Sequence, residues 1–585
     1  MSESTGHVLR RAFQIAPALS KGLWLTLALA VFGTGLQLVV PITVQRIIDS
    51  VLLSSEQMDT SSVVTSGLIA LLAVAIAMWA RRTSLARLAR SSITGLTDLR
   101  VTTFGYLHKL SMLHVQSERR GALVSRVTSD IETMQQFMEW GGVGMILGAA
   151  QIMLAVALML VYEWRLALMI TVGVLIYSVM LLWFQGILRR AHDSVRERVS
   201  DSLSVVGEAT AGLPTVRAFG MESVVMGKVS TALDRQYRAE YGAGALAAVL
   251  FSSAELFAGV ITASVIAVGV IFGVSWGLSA GTLVAFLFLV TLLVEPVQML
   301  VETINQAQSA GAGLRKVLTL LDTPIDVADP VDGVTLPDRP LDLRFEGVRF
   351  RYPTGDDVLN DVTVSIAAGE RVAVVGETGS GKTTFAKLAT RLLDPADGSI
   401  AIAGVPLNEV RFGSLRSRVS YVPQEGFLFE GTIADNVRYG KPDAADDGVR
   451  AAFADLGLLE WADSLTDSID TRVGERGGNL SAGERQLVAI ARAWIANPDL
   501  LVLDEATSAV DPALEVQIRR AIERLTSGRT SITVAHRLST AEASDTVLVF
   551  DAGRIVERGS HRDLVEAGGV YAELHRDWEG SVAET

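Results

Sequence analysis

The sequence predicts a multidomain protein, in which an all-α domain of six transmembrane helices precedes an α/β domain of the P-loop type. Three observations predict this fold. Hydrophobic residues make up 49% of the 585 residues, and nearly all long apolar runs lie within residues 1–310. The less apolar remainder contains a glycine-rich loop with the spacing G-x-x-x-x-G-K-[ST]. We predict a transmembrane domain over residues 1–310, a linker over 311–340 and the α/β domain over 341–585.

Composition narrows the class of protein. A mean hydropathy of +0.37, with only 20% charged residues, is too apolar for an ordinary soluble enzyme. The formal net charge of −13 gives no basic field that would attract nucleic acid. The chain has no cysteine, which excludes disulfides, thiol catalysis and Cys-ligated zinc.

The membrane spans are predicted from uncharged runs. Four runs, at 22–44, 62–80, 140–162 and 166–188, are each long enough to cross the hydrocarbon core as a helix. A fifth run, 256–294, is too long for one span. It contains Gly273, Gly277 and Gly281, which favour a tight hairpin between two helices. We predict six helices, near residues 22–45, 62–81, 140–162, 165–188, 241–272 and 279–305.

Loop charges predict the orientation. Residues 81–140 carry nine Lys or Arg and 189–240 carry eight, whereas 45–61 carries only Arg46. By the positive-inside rule, the two long loops, both termini and the α/β domain are cytoplasmic in a multi-pass cell (inner or plasma) membrane protein. Loops of this length favour helices that continue beyond the membrane.

Two acidic residues fall in the predicted spans. Glu255 interrupts the fifth apolar run and Glu295 precedes Pro296 in the sixth. An ionisable group inside a membrane helix is a candidate functional residue, and solvation near the inner interface is the alternative.

The glycine-rich loop predicts a phosphate site. Its context is the required one, because the apolar strand 372–375 precedes it and a helical stretch follows. Backbone N–H groups of such a loop wrap the phosphates of ATP, while Lys382 reaches the β- and γ-phosphates and Thr383 binds Mg²⁺. The predicted ATP-binding residues of this loop are Gly376, Glu377, Thr378, Gly379, Ser380, Gly381, Lys382, Thr383 and Thr384.

A second apolar strand ends in two acids. Residues 500–503 are apolar, and Asp504 and Glu505 follow them. A carboxylate at the end of a parallel strand can hold Mg²⁺, and the next acid can polarise an attacking water. Together with the phosphate loop, the pair predicts an ATP hydrolysis site.

Further motifs resemble those of the ATP-binding cassette (ABC) proteins, in the order found in that family. The motifs are an aromatic at Tyr352, a Q-loop glutamine at Gln424, a signature at Leu480, Ser481, Ala482, Gly483 and Glu484, a D-loop ending at Asp511, and a switch histidine at His536. The resemblance spans residues 341–580. With six spans before it, nearly the whole chain resembles the exporter-type half-transporters, which include bacterial multidrug and lipid exporters.

The resemblance implies that two such chains pair and enclose two ATP molecules. Ser481 and Gly483 of one chain would contact a γ-phosphate bound by the other. Gln424 would contact Mg²⁺ or the attacking water, His536 would hold the γ-phosphate and orient Glu505, and Tyr352 would stack on adenine. The implied catalytic residues are Glu505, His536, Lys382 and Gln424, and the implied Mg²⁺ ligands are Thr383, Gln424 and Asp504.

The signature departs from the commonest family pattern. Ala482 stands where glycine is usual, and Glu484 stands where glutamine is usual. An added methyl and an added negative charge should weaken the contact with a phosphate. One hypothesis is a heterodimer with one impaired ATP site, and the alternative is a homodimer that tolerates Ala482.

In the resembled family, short helices at the tips of the long loops dock on the nucleotide-binding domains. The matching stretches here are 117–130 and 212–222. ATP-driven closure would then switch the pathway from inward- to outward-facing.

The predicted function is ATP-driven transport by a dimer, exporting a hydrophobic or amphipathic small molecule or lipid from the cytoplasm or inner leaflet. An importer of siderophore-like cargo is one alternative, and an ATP-gated channel or regulatory subunit is another. A soluble cassette ATPase would lack the six spans. The sequence does not identify the substrate, and no nucleic-acid partner is expected.

Overall fold

Six helices are long and apolar enough to cross a membrane, which confirms the number predicted. They belong to a computed structural model, which describes residues 11, 14–15, 17–19, 21–53, 60–118, 120–353, 355–504, 511–535 and 538–583. The chain forms two units. A helical unit comprises Met1–His108 and Gly121–Thr323, and an α/β unit comprises Lys109–Arg120 and Pro324–Thr585.

Eleven α-helices precede the first strand in the described part of the chain, besides a 3₁₀ turn (Pro17–Leu19) and a π-helical segment (Phe137–Gly142). They are α1 (Leu23–Gln37), α2 (Val39–Leu53), α3 (Thr60–Leu107), α4 (Met112–Ser117), α5 (Arg120–Val127), α6 (Ser129–Gln136), α7 (Val143–Tyr162), α8 (Trp164–Ala211), α9 (Leu213–Ala218), α10 (Glu222–Trp276) and α11 (Ala280–Leu321). With 48 and 55 residues, α8 and α10 are about 72 and 82 Å long at a rise of about 1.5 Å per residue. The hydrocarbon core is only about 30 Å thick, so both helices continue beyond it, as the long loops predicted.

The predicted hairpin between the last two spans breaks at one glycine, not three. Gly277 has φ +72° and ends α10, and Gly273 and Gly281 are both helical. The side chain of Asp49 closes the turn from α2: Oδ2 accepts from the Ser279 hydroxyl at 2.7 Å, and Oδ1 accepts from the Gly281 N–H at 2.9 Å. These bonds satisfy donors at the start of α11 that would otherwise lack partners.

Close packing of small residues holds the helical unit together. A Cβ at Gly33 would lie 3.2 Å from the Ala77 carbonyl, and one at Gly148 would lie 3.4 Å from the Cβ of Pro296. Small residues let membrane helices approach closely enough for dispersion contacts, which drive association when the surroundings are as apolar as the protein.

The α/β unit contains two sheets. The strands are β1 (Leu343–Arg351), β2 (Asp357–Ile366), β3 (Arg371–Gly376), β4 (Asp397–Ile402), β5 (Val405–Pro406), β6 (Val419–Val422), β7 (Leu500–Asp504), β8 (Thr530–Val534), β9 (Thr546–Asp551) and β10 (Arg554–Gly559). One sheet is antiparallel in the order β2-β1-β4-β5, and the other has the order β10-β9-β3-β8-β7-β6. In the second sheet β9, β3, β8, β7 and β6 are parallel and β10 is antiparallel. This α/β architecture confirms the predicted fold class.

Ten α-helices and three short 3₁₀ turns accompany these strands among the described residues. They are α12 (Lys382–Ala389), α13 (Phe412–Arg418), α14 (Ile433–Arg438), α15 (Asp446–Leu456), α16 (Leu459–Ser464), α17 (Ala482–Ala496), α18 (Pro512–Thr526), α19 (Leu538–Glu542), α20 (His561–Ala567) and α21 (Val570–Ala583). Because β3 and β7 are parallel neighbours of β8, their carboxyl ends meet at one edge of the sheet. Ligands of open parallel sheets bind at such an edge.

The boundary between the two units differs from the predicted division into residues 1–310, a linker over 311–340 and residues 341–585. Helix α11 continues to Leu321, so the first part of the predicted linker is helical. The segment Lys109–Arg120 groups with the α/β unit although it lies between two membrane spans. In it, the Ser111 hydroxyl donates to Asp326 at 3.0 Å, and Leu113 packs on the core of the α/β unit. Ser111 and Leu113, which make these contacts, lie N-terminal of the predicted docking stretch 117–130. The stretch 212–222 contains the short helix α9.

Candidate functional site

The phosphate loop joins β3 to α12 and owes its shape to its glycines. Gly376 and Gly381 have φ of +147° and +102°. A Cβ at Gly376 would lie 2.1 Å from the Phe550 carbonyl oxygen, and one at Gly381 would lie 2.9 Å from that of Val358. At Gly379, with φ +90°, a Cβ would have no atom within 4 Å. The first and third glycines are therefore needed by the fold itself, whereas the second borders open space that a ligand can approach.

Lys382 is held inside this loop. It is only 5% exposed, and its ammonium donates to the carbonyl oxygens of Gly376 and Glu377 at 2.7 Å each. Burial lowers the pKa of Lys382, and the charges of Asp504 and Glu377 oppose that shift. The cation is thus oriented into the loop before any phosphate binds.

Asp504 lies beside Thr383, as the Mg²⁺ prediction requires. The carboxylate is 4% exposed, and Oδ1 accepts from the Thr383 hydroxyl at 3.4 Å. A hydroxyl and a carboxylate at this spacing match the hard oxygen ligands that Mg²⁺ prefers. The Ser380 hydroxyl adds a second indication, because its oxygen is buried without a hydrogen-bond partner among the described residues. The donor set therefore fits a phosphate group with its Mg²⁺.

Tyr421 is a residue of this site that the sequence did not single out. Its hydroxyl donates to Oδ2 of Asp504 at 3.0 Å. Burial, and after it the charge of Asp504, raises the pKa of Tyr421 above its usual value, so the phenol keeps its proton. The sheet register explains the contact: Tyr421 pairs with Val502 on the neighbouring strand, and Asp504 follows two residues later on the same face.

The aromatic predicted for adenine is anchored to the same site. The hydroxyls of Tyr352 and Thr384 are 3.1 Å apart, and the Tyr352 ring meets Phe350 edge-on at 5.1 Å. The tyrosine therefore has a fixed orientation beside α12. Gln424 follows the end of β6 and is exposed.

The signature forms the start of α17, where it builds its own cap. The Ser481 hydroxyl accepts from the Glu484 N–H at 3.3 Å, and Oε2 of Glu484 accepts from the Ser481 N–H at 2.8 Å, which is a capping box. Oε1 of Glu484 accepts from the Trp461 indole N–H at 3.3 Å. Ser481 and Ala482 are exposed, and Leu480 and Gly483 are buried.

The ionisation state of Glu484 decides whether it places a negative charge beside a bound phosphate. Burial acts to raise its pKa, but the hydrogen bonds from Ser481 and Trp461 outweigh burial and lower it. The carboxylate is therefore ionised and occupies the positive end of the helix, where an approaching phosphate would also bind.

Several predicted residues fall beside or outside the described part of the chain. Glu505 and His536 lie outside it, as do residues 508–510 of the D-loop. Asp511 is described: it caps α18 by accepting from the Ala513 N–H at 2.8 Å. The structure thus assembles the phosphate loop, Thr383, Thr384, Asp504 and Tyr352 at one edge of the sheet.

The helical unit contains a cavity of about 430 Å³ among α1, α2, α3, α7 and α11. Its polar lining includes Gln37, Arg81 and Glu295, and Gln151 donates across it to the Leu292 carbonyl at 2.8 Å. Of the two acids predicted in the spans, Glu295 therefore lines a cavity. Glu255 is exposed on α10.

A second cavity, of about 510 Å³, lies among α8, α10 and α11. Helix α8 contributes the basic residues Arg189, His192 and Arg196, the last of which pairs with Asp193. Helix α10 contributes the apolar Leu250 and Phe251, and α11 contributes the polar Gln298, Gln308 and Ser309. This combination suits a molecule with an anionic end and an apolar body.

Comparison with known proteins supports both halves of the fold. Residues 23–297 match the family "ABC transporter transmembrane region", and residues 359–508 match the family "ABC transporter". The chain is 34% identical over 513 residues to a fatty acid ABC transporter ATP-binding/permease protein of Mycobacterium tuberculosis, covering 86% of this chain and 79% of that protein. It is 30% identical over 478 residues to an ATP-dependent lipid A-core flippase of Desulfotalea psychrophila, covering 82% of this chain and 83% of the flippase.

A solved structure is similar over the full length. It is a bacterial Atm1-family ABC exporter with ATP bound, with a TM-score of 0.76 and 27% identity, covering 96% of this chain and 98% of that one.

Proposed function

Because this chain belongs to the ABC transporters and has the exporter-type fusion of transmembrane region and ATPase domain, we propose that it forms one half of a dimeric exporter of amphipathic anions. The observation that carries the proposal is the joining, in one polypeptide, of a fitted phosphate site with six membrane spans. The importer alternative is not favoured, since the similar structure is an exporter and the curated relatives include a flippase.

ATP hydrolysis would use the residues of the α/β unit in distinct roles. Lys382 and the loop N–H groups would bind the β- and γ-phosphates, and Thr383 and Asp504 would hold Mg²⁺, whose positive charge would stabilise the phosphates. Tyr421 would keep the Asp504 carboxylate oriented through its 3.0 Å bond. We assign Glu505 to polarising water and His536 to the γ-phosphate, because phosphoryl transfer depends mainly on positioning and charge neutralisation.

The partner chain would complete each site. A signature at the exposed start of α17 offers Ser481 and the helix N-terminus to a phosphate on another chain. Hydrolysis would then require closure of two α/β units. We place these units in the cytoplasm on the basis of the basic loops, in a cell membrane.

The substrate class is inferred from the basic cavity. Arg189, His192 and Arg196 face a space that Leu250 and Phe251 also line. A carboxylate or phosphate head would pair with the cations while an acyl chain contacts the apolar side. The names of two relatives, a fatty acid transporter and a lipid A-core flippase, support this class.

Reconstitution in proteoliposomes tests the ATPase assignment. Glu505→Gln should bind ATP but not turn it over, because the water would lack its polarising group. Wild-type chain should hydrolyse ATP and move a fluorescent fatty acid across the bilayer. Hydrolysis by Glu505→Gln at the wild-type rate would contradict the role given to Glu505.

A matched pair of arginines tests the substrate class. Arg189 and Arg190 are both exposed, but only Arg189 is part of the lining of the basic cavity. A charge-assisted hydrogen bond contributes about 1.5–3 kcal/mol. Arg189→Gln should therefore raise the fatty-acid concentration that half-maximally stimulates ATPase by at least about tenfold. Arg190→Gln should not change it. Equal values for both variants, with basal ATPase intact, would remove the anion assignment but leave the transporter assignment standing.

A further inference from the structure

Three potential metal-ligating side chains meet at the C-terminal end of the α/β unit, outside the ATP site. They are Glu542 at the end of α19, His561 at the start of α20 and His575 in α21. One ligand atom from each lies within 4.8 Å of the other two, and among the described residues this is the one such group of three. Three different helices therefore contribute to it.

His561 is held in a defined orientation. Its Nδ1 is 2.7 Å from the hydroxyl of Tyr571, which is fully buried, and its Nε2 is 4.0 Å from Oε1 of Glu542. In the tautomer whose Nδ1–H donates to the phenol oxygen, Nε2 carries the lone pair and is the nitrogen available to a metal. Metal-binding histidines are commonly oriented by a hydrogen bond of this kind to the other ring nitrogen.

The set of ligands selects a class of metal. Two imidazoles and one carboxylate suit Zn²⁺ and its first-row neighbours, and the absence of cysteine removes softer competing sites. Mg²⁺ and Ca²⁺ prefer sets made of oxygen ligands alone. Tetrahedral ligands at about 2.1 Å from zinc are about 3.4 Å apart. The observed separations, 4.0 Å between His561 and Glu542 and at most 4.8 Å within the group, therefore need side-chain movements of roughly 0.6–1.4 Å to reach this spacing.

We propose that Glu542, His561 and His575 bind a divalent transition metal such as Zn²⁺, with water in the fourth position. Glu542 and His561 are partly exposed, with side chains 48% and 26% accessible, so an ion can reach the site from solvent. The bound ion would connect α19 with α20 and α21. The alternative is a hydrogen-bonded cluster that contains no ion.

Metal binding is measured on the full chain, purified with an affinity tag that lacks histidine and without nucleotide. Calorimetric titration with Zn²⁺ should give one equivalent per chain, and Co²⁺ should give the visible absorption of a tetrahedral complex. Excess Mg²⁺ should not displace either ion. Absence of binding by the wild-type chain would overturn the proposal.

Variants locate the ion. His575→Ala and Glu542→Gln should each weaken Zn²⁺ binding at least tenfold, and Tyr571→Phe should weaken it by about tenfold through the lost orientation of His561. His108→Ala, at an exposed histidine of the helical unit, is the matched control and should bind as wild type. Glu542→Gln changes an exposed side chain, and an unchanged ATP-induced rise in its melting temperature would show that it folds. Wild-type affinity in both His575→Ala and Glu542→Gln would refute the site.

Discussion

Replacement of Glu484 by alanine should destabilise the α/β unit without touching its hydrophobic core. The change removes the acceptor for the Ser481 N–H, at 2.8 Å, and for the Trp461 indole, at 3.3 Å. A helix cap contributes about 1 kcal/mol. The hydrogen bond that the indole N–H donates to the carboxylate contributes about another 1 kcal/mol, which is low for a charged acceptor because the pair is only half-buried and 3.3 Å apart. We expect a loss of about 2 kcal/mol in the free energy of unfolding.

Glu484→Gln should cost less than about 1 kcal/mol, because an amide oxygen can still accept the Ser481 N–H in a capping box. The assay is thermal unfolding of the full chain in detergent, followed by tryptophan fluorescence. For a unit of this size, about 1 kcal/mol shifts the melting temperature by about 2–4 °C. Glu484→Ala should therefore melt about 4–8 °C below wild type. Glu523→Ala, at an exposed acid of α18, is the control and should change little.

The two variants also separate the structural role of Glu484 from its charge. In Glu484→Gln the positive end of α17 is no longer neutralised by the protein's own carboxylate, so a phosphate should bind there more tightly. A charge at a helix terminus contributes about 0.3–1 kcal/mol, which corresponds to a two- to fivefold lower KM for ATP. The reasoning fails if Glu484→Gln melts as low as Glu484→Ala, or if its KM for ATP rises.

Three further predictions concern the ATP site and its partner. Gly376→Ala should unfold the phosphate loop and lower the melting temperature without ligand, since its Cβ would lie 2.1 Å from the Phe550 carbonyl oxygen. Gly379→Ala should mainly reduce the stabilisation given by Mg-ATP. Equal melting temperatures of the two variants without ligand would contradict this. Because burial raises the pKa of Tyr421, its protonated form stabilises the fold fully below about pH 10, and the contribution is lost as pH rises above that value. The melting temperature should thus fall more between about pH 9 and pH 11 in wild type than in Tyr421→Phe, and parallel curves would disprove the linkage. The purified chain alone should hydrolyse ATP as a homodimer, and activity that appears only after a different half-transporter is added would favour the heterodimer.

The sequence predicted features that depend on local spacing. The six spans follow from uncharged runs whose length is set by the bilayer. The phosphate loop follows from three glycines with positive φ, and at Gly376 and Gly381 a side chain would also collide with backbone. Such constraints involve residues that are close together in the chain, so they can be recognised from the sequence alone.

Other features depend on residues that are distant in the chain. Tyr421 meets Asp504 because two strands are adjacent, and Trp461 meets Glu484 across the start of α17. A pattern within either segment carries no sign of these contacts. The end of α11 was missed for a different reason. Helix-forming residues continue past 311 to Leu321, and the prolines and aspartates that are typical of a linker begin only after that point.

The membership of Lys109–Arg120 in the α/β unit has a consequence for the nascent chain. This segment leaves the ribosome about 200 residues before Pro324, where the rest of that unit begins. At a synthesis rate of about 5–20 residues per second, α4 waits at least about 10–40 s before the surface that shelters Leu113 can form. The α/β unit is the last part of the molecule to be translated, yet one of its pieces is made early. The last-translated residues therefore cannot complete the α/β unit by themselves. They must also pack with Lys109–Arg120, a segment that lies between two membrane spans and was translated earlier.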